Sequence, residues 1–124
     1  MKNTKNSLNI LINSIKIKKK YIIIRYTKLI YLIFSLLKNY CIKSIYKLEN
    51  CILIYITYNN KKNLKIKICN LKNKKNNFTY LHLQKLKQKN KDGIIFTSKG
   101  IYLLSEALKL KQGGTLFCLI YYSN

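Results

Sequence analysis

Acidic side chains are almost missing from this chain. Glu49, Asp92 and Glu106 are the only carboxylates in 124 residues, against 25 Lys and Arg, and the formal net charge is +22. Three acids this far apart in sequence argue against a paired-carboxylate or magnesium site, and so against an enzyme of either kind. His82 is the only histidine. Set between Leu81 and Leu83 on an expected strand, it reads as a structural or surface-contact residue before it reads as a base. Proline, valine and tryptophan are absent, Ala107 is the only alanine and Arg25 the only arginine. The residues used instead, Lys, Asn, Ile, Leu, Tyr and Ser, are those of A+T-rich codons. This points to mutational bias in a small genome such as an organellar one, and implies that many lysines and asparagines have no individual role.

Cysteine and long apolar runs are also scarce. Cys41, Cys51, Cys69 and Cys118 show no Cys-x-x-Cys spacing, which argues against a zinc site. With no secretory signal expected and enough apolar residues for a core, a disulfide framework is not expected either. Cys118, in a run expected to be buried, reads as an inert core thiol. The longest apolar stretch, Leu29 to Leu37, is interrupted by Ser35 and flanked by Lys28 and Lys38. A membrane span needs about 20 apolar residues, so none is expected.

The cations and the apolar residues are what remain. A charge of +22 repels itself and calls for a polyanion, with nucleic acid first, an anionic membrane surface second and an acidic protein third. A hydrophobic content of 48% argues against simple disorder. The length fits one compact domain or two very small ones sharing a core.

Residues 4–17 carry Leu8, Leu11, Ile12 and Ile15 at helical spacing, followed by a cation cluster, Lys16 to Lys20. Residues 21–26 are β-branched and read as a strand. Thr27 is a plausible N-cap for a helix over 28–39 with Leu29, Leu32, Ile33, Leu36 and Leu37 on its apolar face. Strands follow at 42–46 and 51–58 about a turn at 48–50, and a third at 64–69 after a polar turn at 59–63. The first half therefore reads α-β-α-β-β with that last strand leading onward. Residues 70–77 form a cationic loop, 78–83 an expected strand and 86–91 a charged linker. No internal repeat is present.

All four glycines lie in the last third of the chain. Ile94, Ile95 and Phe96 read as a strand, Thr97-Ser98-Lys99-Gly100 as a loop, and 103–110 as a short helix stopped by Gly113 and Gly114. Thr115 to Tyr122 is apolar on both faces and reads as a buried strand. Hydroxyls and backbone N–H groups in the loop can bond phosphate oxygens and 2′-hydroxyls, Lys99 adds charge, and Gly100 permits close approach. A plain surface turn would look the same.

Strand, Thr-Ser-Lys-Gly, a short helix with Glu106-Ala107, then Gly113-Gly114-x-Leu116-x-Cys118 and an aromatic end resembles the C-terminal signature of the small-subunit ribosomal protein eight family, bacterial and organellar type. The signature covers about a quarter of the chain. The family usually has Ser before Thr-Ser-Lys-Gly, where this chain has Phe96. Weaker matches are Thr27-Lys28-Leu29, where the family has Ser-Lys-Leu, and Lys16, where it has a cation late in the first helix. Lys74 and Tyr80 align with a lysine and a tyrosine that follow the family's Ser-Lys-Pro-Gly, which is absent here.

The resemblance implies an α+β fold of two small halves. Residues 1–69 would form an α-β-α-β-β half, and 70–124 a mostly β half with a short helix, both binding rRNA. It implies a structural constituent of the ribosome that binds the rRNA central domain directly and clamps it during assembly. The RNA-binding residues would be Thr97, Ser98, Lys99, Gly100, Lys74, Lys28, Lys16, Lys18, Lys19 and Lys20, with Gly113 and Gly114 as a structural turn. No cofactor or small-molecule substrate is implied. Neighbouring small-subunit proteins are the expected partners. The location would be an organellar ribosome, the mitochondrion ahead of the plastid. A basic RNA-binding assembly or maturation factor outside the ribosome is the alternative, and a cationic membrane-surface protein a third. Most of the eleven tyrosines read as core or sheet residues.

Overall fold

Helix α1 (Lys2–Lys16) turns a narrow face inward, Thr4, Ser7, Leu8, Leu11 and Ser14, all buried. The spacing is helical, but three of the five are small hydroxyl residues, and Ile12 and Ile15 are only partly buried. The computed structural model describes residues 2–58, 63–69, 77–89 and 91–123. Its contacts divide the chain into two units, 1–62 and 63–124. The fold class is α+β, as expected, with a mostly β second half.

In the first unit, α1 ends on a residue in the left-handed region. Lys18 has φ 57°, its N–H donates to the Ile15 carbonyl at 3.2 Å, and the Lys19 N–H reaches back to the Ser14 carbonyl at 3.0 Å. This is a Schellman closure with lysine where glycine is usual. Strand β1 (Tyr21–Arg25) alternates strictly, with Ile22 and Ile24 inward. Thr27 caps α2 (Lys28–Leu36), its Oγ1 accepting from the Ile30 N–H at 3.1 Å. The helix stops three residues short of the expected span, and Leu37–Asn39 continue it as a 3₁₀ turn that buries Leu37. Strands β2 (Ile42–Lys47) and β3 (Cys51–Ile56) form a hairpin about the exposed residues 48–50. The sheet is antiparallel, in the order β1-β3-β2. Ile22, Ile24, Ile52, Ile54 and Ile56 make its buried face.

The second unit is built on its last strand. Strand β8 (Gly114–Ser123) pairs along one edge with β4 (Asn63–Ile68) and the two-residue β5 (Asn77–Phe78). Along the other edge it pairs with β6 (Asp92–Thr97), which in turn pairs with β7 (Gly100–Leu103). The strand over 64–69, expected to close the first half, thus joins the second unit, because Leu64 to Ile68 pair with Tyr122 to Cys118. The expected strand at 78–83 and linker at 86–91 are instead largely one helix, α3 (Tyr80–Gln88). Thr79 caps it through the His82 N–H, and Leu83 and Leu86, one turn apart, face the core. Helix α4 (Leu104–Lys109) packs beside α3 and against β6. Leu83, Ile95, Leu104, Ala107 and Leu116 form the core between helices and sheet.

Gly113 and Gly114 do not stop α4. The stop is Lys111, at φ 56°, whose N–H donates to the Leu108 carbonyl while the Gln112 N–H reaches Ala107 at 3.0 Å. The glycines serve close approach instead. A Cβ on Gly113 would lie 2.5 Å from the Phe78 carbonyl oxygen, and one on Gly114 would collide with the Phe96 carbonyl. Both are backbone contacts that cannot swing aside.

Candidate nucleic-acid interface

The Thr-Ser-Lys-Gly stretch is the turn of a hairpin. Thr97 and Gly100 pair as the last residues of β6 and the first of β7, leaving Ser98 and Lys99 at the tip. Among the described residues, Lys18 and Lys111 are the only non-glycine residues with positive φ, so Ser98 and Lys99 both keep negative φ. Two-residue hairpins prefer primed turns, whose twist matches that of the strands. This tip lacks that match. Gly100, at φ 141°, absorbs the difference in a conformation that side chains rarely allow.

Thr97 ties the turn together. Its Oγ1 donates to the Gly100 carbonyl at 2.9 Å and accepts from the Lys99 N–H at 3.1 Å. The Tyr102 hydroxyl donates to the Lys99 carbonyl at 3.4 Å, and its ring lies under Gly100. Ser98, Lys99 and Gly100 are exposed. The tip thus offers a hydroxyl, an ammonium and bare backbone on a shape fixed from below.

Supports converge on this tip. Phe96, the residue before Thr97, stacks on the fully buried Phe117 with ring centroids 5.1 Å apart. The β6–β8 register slips there, Ile94 facing Cys118 and Ile95 facing Leu116, so Phe117 is the extra residue of a bulge. Two of the chain's three acids brace the strand beyond. Asp92 Oδ1 accepts from the Gly93 N–H at 2.8 Å and the Ser105 N–H at 3.4 Å. Glu106 Oε1 accepts from the Leu103 N–H at 3.3 Å. These carboxylates hold the junction of β7 and α4. The role of Tyr102 escaped the sequence reading; a tyrosine two residues after Gly100 was the available signal, since period two puts both on one side of a strand.

The other expected RNA contacts lie in the first unit. Lys16, Lys18, Lys19 and Lys20 cluster around the end of α1, all exposed. Tyr58 fastens that corner: its hydroxyl donates to the Lys19 carbonyl, and Lys18 Nζ lies 5.5 Å from its ring centroid. Burial, and then the nearby Cys41, push the Tyr58 hydroxyl pKa up, so it keeps its donor proton. Lys28 is the exposed first residue of α2, away from that cluster in sequence. Lys74 lies outside the described residues. His82 sits on α3, not on a strand, with Nδ1 3.2 Å from the Thr79 hydroxyl.

Little else among the described residues suggests chemistry. No group of three or more His, Cys, Asp and Glu is placed to hold a metal ion there, and no helix is long and apolar enough to cross a membrane. Cys41 and Cys118 are buried, and burial pushes Cys41 up to about 12. Burial also raises Cys69, with Lys67 opposing it.

A family model described as Ribosomal protein S8 matches residues 3–121. The chain belongs to the ribosomal protein S8 family. That family is one of structural ribosomal proteins, and membership implies a structural, rRNA-binding role in the ribosome. Among curated proteins none matches. For a ribosomal S8 chain, the hairpin tip and the lysine corner after α1 each combine a fixed backbone with exposed cations.

Proposed function

We propose that this S8 chain is a primary rRNA-binding protein of an organellar small subunit that clamps the rRNA central domain during assembly and remains in place. The observation that carries the reading is the hairpin tip, where the Thr97 hydroxyl bridges Lys99 and Gly100 and leaves Ser98, Lys99 and the glycine backbone exposed. Such a surface suits phosphates and 2′-hydroxyls across the shallow minor groove of an RNA helix, where shape is read more than sequence. Lys16, Lys18, Lys19, Lys20, Lys28 and Lys74 neutralise phosphates of the folded RNA. Neighbouring small-subunit proteins are its further partners. The A+T-rich residue alphabet supports an organellar gene, with the mitochondrion our first choice over the plastid.

The test is binding of the triple variant Thr97→Ala, Ser98→Ala, Lys99→Ala to the central-domain fragment of the matching rRNA and to a random duplex. Affinity for the fragment falls further than affinity for the duplex. Equal loss on both would leave only charge. Sedimentation separates the runner-up, since a ribosomal protein stays with the small subunit through a moderate salt wash and an assembly factor leaves.

A further inference from the structure

The face of the first sheet opposite the isoleucine core remains to be explained. Period two and the register place Tyr21, Ile23 and Arg25 of β1, Leu53 and Tyr55 of β3, and Tyr46 of β2 on that one face. Tyr21 is 52% exposed, Tyr46 53% and Tyr55 37%, and Ile23 at 58% is more open than any of them. Tyr21 and Tyr55 are direct cross-strand partners with ring centroids 5.9 Å apart, and Tyr46 meets Tyr55 edge-on at 6.0 Å. The three rings cross the sheet as a diagonal row.

From this arrangement we infer that the tyrosine face of the β1-β3-β2 sheet is a stacking platform for unpaired rRNA nucleotides, a second mode of RNA contact besides the duplex-facing hairpin. The inference rests on the rRNA-binding reading above. Charge selects the occupant. Residues 1–62 hold thirteen Lys and Arg and one acid, Glu49. Arg25 stands on the face itself, and the exposed Lys19 and Lys20 run directly into Tyr21. An apolar protein surface would cover the rings but leave that cationic rim uncompensated. A single strand of RNA satisfies both, its bases on the rings and its phosphates on the rim. Antiparallel sheets with aromatic rings on adjacent strands can bind single strands in this way, and the stacking tolerates any base. Helix α1 and the hairpin tip display no comparable aromatic surface, so the two modes can be assayed apart.

The experiment measures anisotropy of a labelled oligouridylate, and of an RNA duplex of equal length, with the full chain at fixed salt. The variant Tyr21→Leu/Tyr55→Leu keeps the charge and much of the apolar area but removes two rings. Affinity for the oligouridylate falls on the order of tenfold or more, given the usual worth of a stacked base, while duplex binding holds within about twofold. Tyr21→Phe/Tyr55→Phe keeps the rings and binds within about twofold of the parent. Unchanged binding by the leucine variant, or equal loss on both RNAs, overturns the inference. If the leucine variant fails to fold, ultraviolet crosslinking of the unmodified chain in the small subunit decides. Tyr21 or Tyr55 joined to a nucleotide supports the platform; either joined only to another protein overturns it. The triple variant of residues 97–99 retains oligouridylate binding, so failure of the hairpin reading and failure of this one give different patterns.

Discussion

Thr97→Val is the sharpest probe of how the hairpin tip is held. Valine keeps the volume and the branched Cβ that suit a strand end, but it cannot bond the Gly100 carbonyl or the Lys99 N–H. A hydrogen bond contributes about 0.5–1.5 kcal/mol net. Both of these lie at an exposed turn, where water takes over the freed groups, so the low end applies and the sum is about 1 kcal/mol. With a urea slope of about 1–3 kcal/mol/M, the unfolding midpoint falls by about 0.5 M. The same loss acts on RNA affinity. A tip that is no longer ordered in advance must be ordered on binding, and about 1 kcal/mol is about fivefold in Kd. Urea unfolding followed by circular dichroism and a filter-binding titration with the central-domain rRNA fragment measure the two effects. Thr97→Ser, which keeps the hydroxyl, stays near the parent in both. The reasoning is refuted if valine unfolds and binds like threonine, or if serine loses as much as valine.

Three further outcomes follow from the geometry. Gly114→Ala forces a Cβ against the Phe96 carbonyl and within 2.9 Å of Ile95 Cγ2, so β6 and β8 separate beside the tip, and stability falls by about 1–3 kcal/mol in urea unfolding. Lys111→Gly relieves a side chain held at φ 56°, and the midpoint rises by an amount equal to about 0.5–1 kcal/mol. Cys41 makes stability fall with rising pH. Its folded pKa is pushed up to about 12, whereas the unfolded thiol loses its proton near about 8.5, so between those values the unfolded chain holds fewer protons. The contribution is intact below the lower value and declines by up to about 1.4 kcal/mol per pH unit above it. Urea unfolding at several pH values shows a steeper decline in the parent than in Cys41→Ala, where the raised Cys69 and Tyr58 remain; parallel curves for the two would refute it.

Local signals in the sequence survived and long-range ones did not. Thr27 before Lys28 announces a cap, and the cap is there. The strand ending at Phe96 and the Thr-Ser-Lys-Gly loop are legible because glycine and hydroxyl residues break a narrow alphabet, and they form the hairpin tip. Residues 78–83 misled because Phe78, Tyr80 and His82 alternate with Thr79, Leu81 and Leu83, a strand-like period. The helix is set instead by the Thr79 cap and by burial of Leu83 under α4 and β8, while Leu81 points outward at 65% exposure. Nothing near Leu64 says that its partner is Tyr122, so its membership of the second unit could not be read locally. The Gly113-Gly114 pair was visible, but its reason, the nearness of Phe78 and Phe96, lies in other strands. The tyrosines were obscured by bias: eleven of them look interchangeable until the register puts three on one face.

Strands β4, β5 and β6 all precede the strand they pair with. While the polypeptide is still growing, none of them has β8 beside it, although β6 can already pair with β7, and Ile66, Ile94 and Ile95 lack the cover of β8 until it arrives. The first unit has no such delay, since every ladder it contains closes by Ile56. A nascent chain therefore presents its lysine corner and tyrosine rings to RNA before the Thr97–Gly100 tip has a floor to stand on.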